Sequence, residues 1–296
     1  MKYTTQTLLD RIAVKAALPA GQETYTPEEI LDLANQEILS TILPEILRTR
    51  EDYYLTSEII ETSDSVELYD MPERAIAGKV NDVQLVDDNN KVIRSLPRIT
   101  TAQITETDSG EVRAFYFQGA YIGLHPAPSS PHKLKVSYYA RPSSLVLPSK
   151  AYEVIATGTG EPGEFIQVDR PVEDIEATDK IDVAKGSGLY QTLNRDIELT
   201  HVDGDKLYMT TVPSNISKGD YIVPAGQSIF VQCPQELYPW LEELVVVKLH
   251  ESNGDFDAMK LAQKKADLIR DQILSLLSPR AETEAQIITN TIWRQF

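Results

Sequence analysis

Apolar residues recur at helical spacing near both ends of the chain and alternate through its middle. Leu8, Leu9, Ile12 and Ala16 predict a short helix over Thr5–Leu18, ended by Pro19-Ala20-Gly21. Thr26 is a good N-cap, Pro27 suits the first helical position, and Glu29 is placed to close a capping box. Ile30, Ala34, Ile38 and Ile42 then form one apolar stripe. Pro44 lacks an N–H and clashes with the preceding turn, so a break or kink is expected near Thr41–Leu43. Glu45–Arg50 should add one or two turns.

At Tyr53 the pattern changes. Tyr53–Glu61, Val66–Tyr69, Val80–Val86 and Lys91–Ser95 are β-branched or alternating, with Asp87-Asp88-Asn89-Asn90 as a turn. Val112–Gln118 and Ala120–Leu124 flank Gly119 as a hairpin, and Lys133–Tyr139 alternates until Pro142 stops it. From about Pro148 the chain is strand-like but richer in Gly, Asp and Pro. Strands are expected at Tyr152–Ala156, Phe165–Val168, Lys180–Val183, Glu198–His201, Lys206–Thr211 and Ser228–Val231, with Asp203-Gly204-Asp205 as a hairpin turn.

The last third returns to helix. Pro234-Gln235-Glu236 opens one with Leu237, Leu241, Leu244, Val245 and Leu249 on a face. Asn253-Gly254-Asp255 turns the chain tightly, predicting an antiparallel helical hairpin. Met259, Ala262, Ala266, Ile269, Ile273 and Leu276 step by three and four residues, a coiled-coil-type seam. Ser278-Pro279 stops this helix. The order helices, strands, strands, helices predicts an α+β protein with segregated elements. Residues 1–52 and 234–278 should form a split helical bundle. Antiparallel β modules at 53–147 and 148–233 are inserted between its halves, and 279–296 is an extended interaction tail.

Composition narrows the function. Of 296 residues, 28 are Lys or Arg and 45 Asp or Glu, a net charge of −17. Such a chain lacks the cationic surface that grips nucleic acid or an anionic membrane. Residues Ala151–Cys233 hold 14 acids against 6 cations; a solubilising face is the plain explanation. The one cysteine, Cys233, excludes an intrachain disulfide and any Cys-based zinc or iron–sulfur site within the chain. No stretch is long enough to span a membrane and Met1–Thr5 opens no signal peptide, so an intracellular or particle-bound protein is expected.

Candidate chemistry is thin. Gly158-Thr159-Gly160-Glu161-Pro162-Gly163 matches G-x-G-x-x-G, but Pro162 interrupts it and a strand follows, so a β-turn is expected. Gly226-Gln227-Ser228 begins like a nucleophile elbow, yet Phe230 stands where the final glycine is required. His125 and His132 lie in a Pro-rich loop without acidic ligands close by. Asp87–Asn90 and Asp203–Asp205 lack the EF-hand register. No catalytic constellation, metal site or cofactor is expected, and the chain is not expected to be an enzyme.

The ordered motifs point elsewhere. Tyr25-Thr26-Pro27-Glu28-Glu29-Ile30-Leu31-Asp32-Leu33-Ala34-Asn35 opens a helix ending in Ile46-Leu47-Arg48, followed by Glu51-Asp52-Tyr53-Tyr54. Then come Asp70-Met71-Pro72-Glu73-Arg74-Ala75-Ile76-Ala77-Gly78-Lys79, Tyr138-Tyr139-Ala140-Arg141-Pro142, Gly219-Asp220-Tyr221-Ile222-Val223-Pro224-Ala225-Gly226, Cys233-Pro234-Gln235-Glu236-Leu237 and Ser278-Pro279-Arg280. From about residue 6 to residue 294 the chain resembles a head-to-tail adaptor (connector) protein of tailed bacteriophages.

The resemblance implies a structural virion protein, assembled in the host cytoplasm. Such a protein forms a ring, commonly a dodecamer, that joins the portal to the next tail or connector component. DNA passes through it as cargo during ejection. It also implies portal binding by the C-terminal segment, here Arg280–Phe296, with Arg280, Ile292, Trp293, Arg294 and Phe296 as the partner-binding residues. An acidic lumen would let DNA pass without sticking. The alternative is a β-rich receptor- or carbohydrate-binding tail module built on Pro148–Cys233. It needs exposed aromatic platforms from Tyr152, Phe165, Tyr190, Tyr208, Tyr221 or Phe230, and core packing is the expected use of several of these.

Overall fold

The computed structural model of the chain describes residues 3–18, 24–104, 109–186 and 192–274. These form an α+β protein with five α-helices among the described residues: α1 (Thr5–Lys15), α2 (Pro27–Glu37), α3 (Leu43–Thr49), α4 (Tyr238–Ser252) and α5 (Phe256–Leu274). The strands are β1 (Leu55–Glu61), β2 (Leu68–Asp70), β3 (Ala75–Val86), β4 (Val92–Ser95), β5 (Ala114–Gln118), β6 (Tyr121–His125), β7 (Lys133–Ala140) and β8 (Ser144–Leu145). They continue as β9 (Tyr152–Gly160), β10 (Gly163–Val168), β11 (Lys180–Ala184), β12 (Thr192–Glu198), β13 (His201–Asp203), β14 (Lys206–Met209), β15 (Tyr221–Pro224) and β16 (Gln227–Ser228).

Helix α2 starts as its sequence predicts. The Thr26 side chain accepts from the Glu29 N–H, and the Glu29 carboxylate accepts from the Thr26 N–H, a complete capping box. The disturbance expected before Pro44 takes a specific form. Ile38–Ile42 widen into π-helical turns and α3 resumes at Leu43, so the chain absorbs the missing N–H without breaking. Ile38 and Ile42 stay buried through this stretch.

Helices from the two ends of the chain share one apolar core. Leu8 and Ile12 of α1, Leu31 and Ala34 of α2 and Ile46 of α3 meet Trp240, Leu241 and Val245 of α4 in it. Helix α4 is buried on nearly every side, including two acids, Glu242 and Glu243. Those acids are matched from α1 and from Tyr3 just before it. The Tyr3 hydroxyl donates to Glu242 at 2.6 Å, while Lys15 lies 3.0 Å from Glu242 and 2.8 Å from Glu243. Burial, reinforced by the Glu242 hydrogen bond, pushes the Tyr3 phenol well above its usual range. The turn at Asn253-Gly254-Asp255 requires a left-handed residue, and Gly254 supplies it at φ +72°. Beyond it α5 returns along α4 with Ala262, Ala266 and Ile273 buried, and Met259 and Ile269 packed beside them. Leu276 of the predicted seam lies outside the described residues.

The first β region holds two sheets. One has the order β1-β7-β3-β4 and the other β2-β6-β5, all pairs antiparallel. Val83, Phe115, Ile122, Leu124, Leu134 and Val136 fill one core between them. The β5–β6 hairpin turns at Gly119, as expected. On β6, Gly123 lets the Tyr116 ring lie on the backbone; a Cβ there would stand 2.2 Å from that ring. Tyr116 is buried, so the ring has little room to retreat. Gly123→Ala is therefore expected to cost about 1–3 kcal/mol by overpacking, read as a lowered urea midpoint.

The second β region is one sheet of order β12-β11-β15-β9-β10-β14-β13. Its first and last strands are joined by Leu199 and Thr200 alone. The expected strand Glu198–His201 is thus interrupted: Glu198 ends β12, His201 begins β13, and Leu199–Thr200 form a corner between them. There the Leu199 N–H donates to Asp179 and the Thr200 N–H to Tyr208, so the chain leaves the β11 edge for the β14 edge. The sheet wraps in this way around Val154, Ile166, Val183, Leu207 and Ile222. The expected strand Ser228–Val231 also shortens. Gln227–Ser228 pair in parallel with Ser144–Leu145, Phe230 makes an isolated antiparallel bridge with Thr4, and the Ser228 hydroxyl takes up the N–H and the carbonyl of Phe230.

Asn35 on α2 binds this β8–β16 seam to the helices. Its side-chain amide donates to the Leu145 carbonyl and accepts from the Leu145 N–H at 2.7 Å, imitating a neighbouring strand.

Candidate functional site

The partner-binding residues expected from the sequence, Arg280, Ile292, Trp293, Arg294 and Phe296, lie outside the described residues. The other sequence features are placed by the fold. Gly158–Gly163 is the β9–β10 hairpin, with Phe165 lying over Gly158. Ser228 is buried and bonded to its own loop. Cys233 is buried in the helical core, and burial pushes its thiol far above the reactive range. Asp87 accepts from the N–H groups of Asn89 and Lys91, a self-contained turn. Among the described residues no group of His, Cys, Asp and Glu is arranged to hold a metal ion.

The structure instead assembles a cluster of charges at the junction of the two β regions. Arg74 stands just before β3, where its carbonyl accepts from the Arg141 N–H. Its guanidinium spans the junction to Asp182 on β11. Nη1 donates to Oδ2 at 2.6 Å and Nη2 to Oδ1 at 2.9 Å, the two-pronged geometry that arginine favours. Asp182 has no solvent exposure. Its two oxygens also accept from the Asp196 and Gly226 N–H groups at 3.0 and 3.1 Å, so each carries two bonds. Asp196 adopts a left-handed backbone, φ +54°, and its own carboxylate accepts from Arg74 at 2.7 Å.

A second arginine completes the cluster. Arg195 donates to the Thr56 hydroxyl of β1 at 3.1 Å. Burial, with a contribution from the neighbouring Arg74 charge, holds its guanidinium below the usual arginine range. One buried carboxylate thus collects Arg74 from the first β region and two backbone donors from the second.

Beside this cluster opens a cleft of about 410 Å³, walled by Tyr69, Tyr121 and Tyr138 with Glu58, Glu73 and Lys180. Partial desolvation at the cleft wall, then repulsion from Asp196, raises the Glu58 carboxyl above its usual 4.5, although the residue keeps an exposed edge. A raised acid binds its proton more tightly in the folded state. Its favourable contribution is complete below the unfolded value and disappears as pH rises through the folded value. Glu58→Gln is therefore expected to stabilise the fold at pH 7 and not at pH 3, read from urea midpoints at both. An equal change at the two pH values would contradict this.

In the sequence Arg74 stands out only within the Asp70–Lys79 motif, and Asp182 belongs to no motif. A single acid in the apolar run Ile181-Asp182-Val183 was the available signal, because an unpaired charge on a two-sided buried strand would be costly. The geometry suits positioning rather than turnover, since the donors around Asp182 are matched to fixed partners of the fold. No family model matches the chain, and no curated protein is significantly similar to it.

Proposed function

We propose that this chain is a structural protein of a tailed-phage virion, a head-to-tail adaptor that forms a ring beneath the portal. In this reading the helices of the two chain ends form a split bundle that packs the ring. The β regions meet the next neck or tail component, and Arg280–Phe296 grip the portal. The observation that supports it most is the apolar core shared by α1, α2, α3 and α4, which joins N-terminal and C-terminal helices. The resemblance of the ordered sequence motifs supplies the function that this arrangement serves.

The acidity fits the same reading. DNA is passing cargo in such a ring, and acids lining the channel repel its phosphates. A ring reconstruction with a lumen lined mainly by Lys and Arg would contradict that part. The sugar-binding alternative gains little support, because Tyr152, Tyr208 and Phe230 are buried in cores rather than presented as platforms.

The test is truncation. Removing Arg280–Phe296 should leave the circular dichroism and urea midpoint of the chain intact and abolish co-sedimentation with purified portal. A truncated chain that joins the portal with unchanged affinity would overturn the assignment of the tail as anchor.

A further inference from the structure

Helix α5 carries two apolar lines. The inner one packs on α4. The outer one is Leu261 and Leu268, seven residues apart and hence on one face. They are 58% and 56% exposed. Lys260, Lys264 and Lys265 stand among them, all exposed, and none of the three forms an ion pair among the described residues. Arg270, by contrast, is committed to Glu45 of α3. On a chain of charge −17, α5 holds four cations against three acids.

Helix α2 is its complement. It contains four acids and no cation. Its outer face exposes Glu28, Asp32 and Gln36, and Leu39 just beyond is 45% exposed. Both helices direct their inner faces into the same core against α4. Asp257 and Asp271 are exposed on α5 as well, so a subunit offers an apolar strip bearing three lysines with no ion pair among the described residues and a purely acidic apolar strip on α2, two different patches on one molecule. That is the requirement for a head-to-tail contact between copies, whereas a two-fold dimer would need one self-complementary patch.

We propose that the outer face of α5 docks on the outer face of α2 in a second copy of this chain. Leu261 and Leu268 cover Leu39, and Lys260, Lys264 and Lys265 face Glu28 and Asp32. Without such matched strips, copies this acidic would repel one another; with them, the contact is steered and its register set. The closure of these contacts into a ring rests on the adaptor reading above.

The experiment is native mass spectrometry of the full chain over a concentration series. The wild type is expected to form a closed oligomer. Lys264→Glu with Lys265→Glu should raise the concentration needed for assembly about tenfold or more, since like charges then meet. Adding Glu28→Lys and Asp32→Lys to the same chain should restore assembly. These residues are exposed, so circular dichroism should confirm that every variant folds.

A wild-type chain that stays monomeric, alone and with portal, overturns both this contact and the ring. A wild-type oligomer that persists in the lysine variant, or that the acid reversals fail to restore, overturns the α5–α2 contact and leaves the ring standing. A disulfide formed within one chain between Leu268→Cys and Ile292→Cys would seat the C-terminal segment on α5 instead, and would also overturn it.

Discussion

Replacing Arg74 with alanine is expected to destabilise the fold by about 3–5 kcal/mol, because it strands a buried carboxylate. Asp182 is wholly buried, and the Arg74 side chain is only 13% exposed. The pair is far from the surface regime in which an ion pair contributes little. Two backbone donors, from Asp196 and Gly226, would still hold the carboxylate in place but could not neutralise it. The loss should appear as a lowered urea midpoint. Arg74→Lys should recover part of it, since lysine restores the charge without the two-pronged geometry. A cost below about 1 kcal/mol for the alanine variant would show that the junction does not depend on this cluster.

The second large effect is expected at Trp240. Its ring is 2% exposed and lies in the core shared by both ends of the chain. Trp240→Ala should cost about 3–5 kcal/mol through the cavity it leaves. Because α4 supports α1, α2 and α5 together, hydrogen exchange should accelerate in all three. Acceleration confined to α4 would contradict the shared core.

Much of the helical layer was legible in the sequence because its signals are local. Thr26, Pro27 and Glu29 specify a helix start within four residues. Gly254 specifies a turn, and the seam from Met259 to Ile273 specifies which side of α5 is buried. Pro44 announced a disturbance but not its form. The π-helical turns at Ile38–Ile42 arise because both isoleucines remain in the core, a tertiary condition that no local rule contains.

The β regions were legible as strands but not as sheets. Alternation in Lys133–Tyr139 identifies a strand, yet nothing local says that β7 lies between β1 and β3. Leu199–Thr200 fits a strand by residue type and local pattern, yet forms a corner. Only the change of partner from β11 to β14 separates them.

The charge cluster was the least visible part. Arg74 and Asp182 are 108 residues apart and meet only across the junction of two sheets. The outer face of α5 is the opposite case. Its leucines and lysines are spaced plainly in the sequence, but their exposure is known only once the inner seam has been placed against α4. Within a chain of charge −17, the outer face of α2 bears acids and no cation, while that of α5 bears three lysines.

The proposed ring-forming adaptor is best checked by the mass of the chain in solution, with and without purified portal. A closed oligomer at a fixed multiple of 33.1 kDa that binds portal as one body is the expected result. A monomer or trimer that ignores portal and binds a sugar would contradict it.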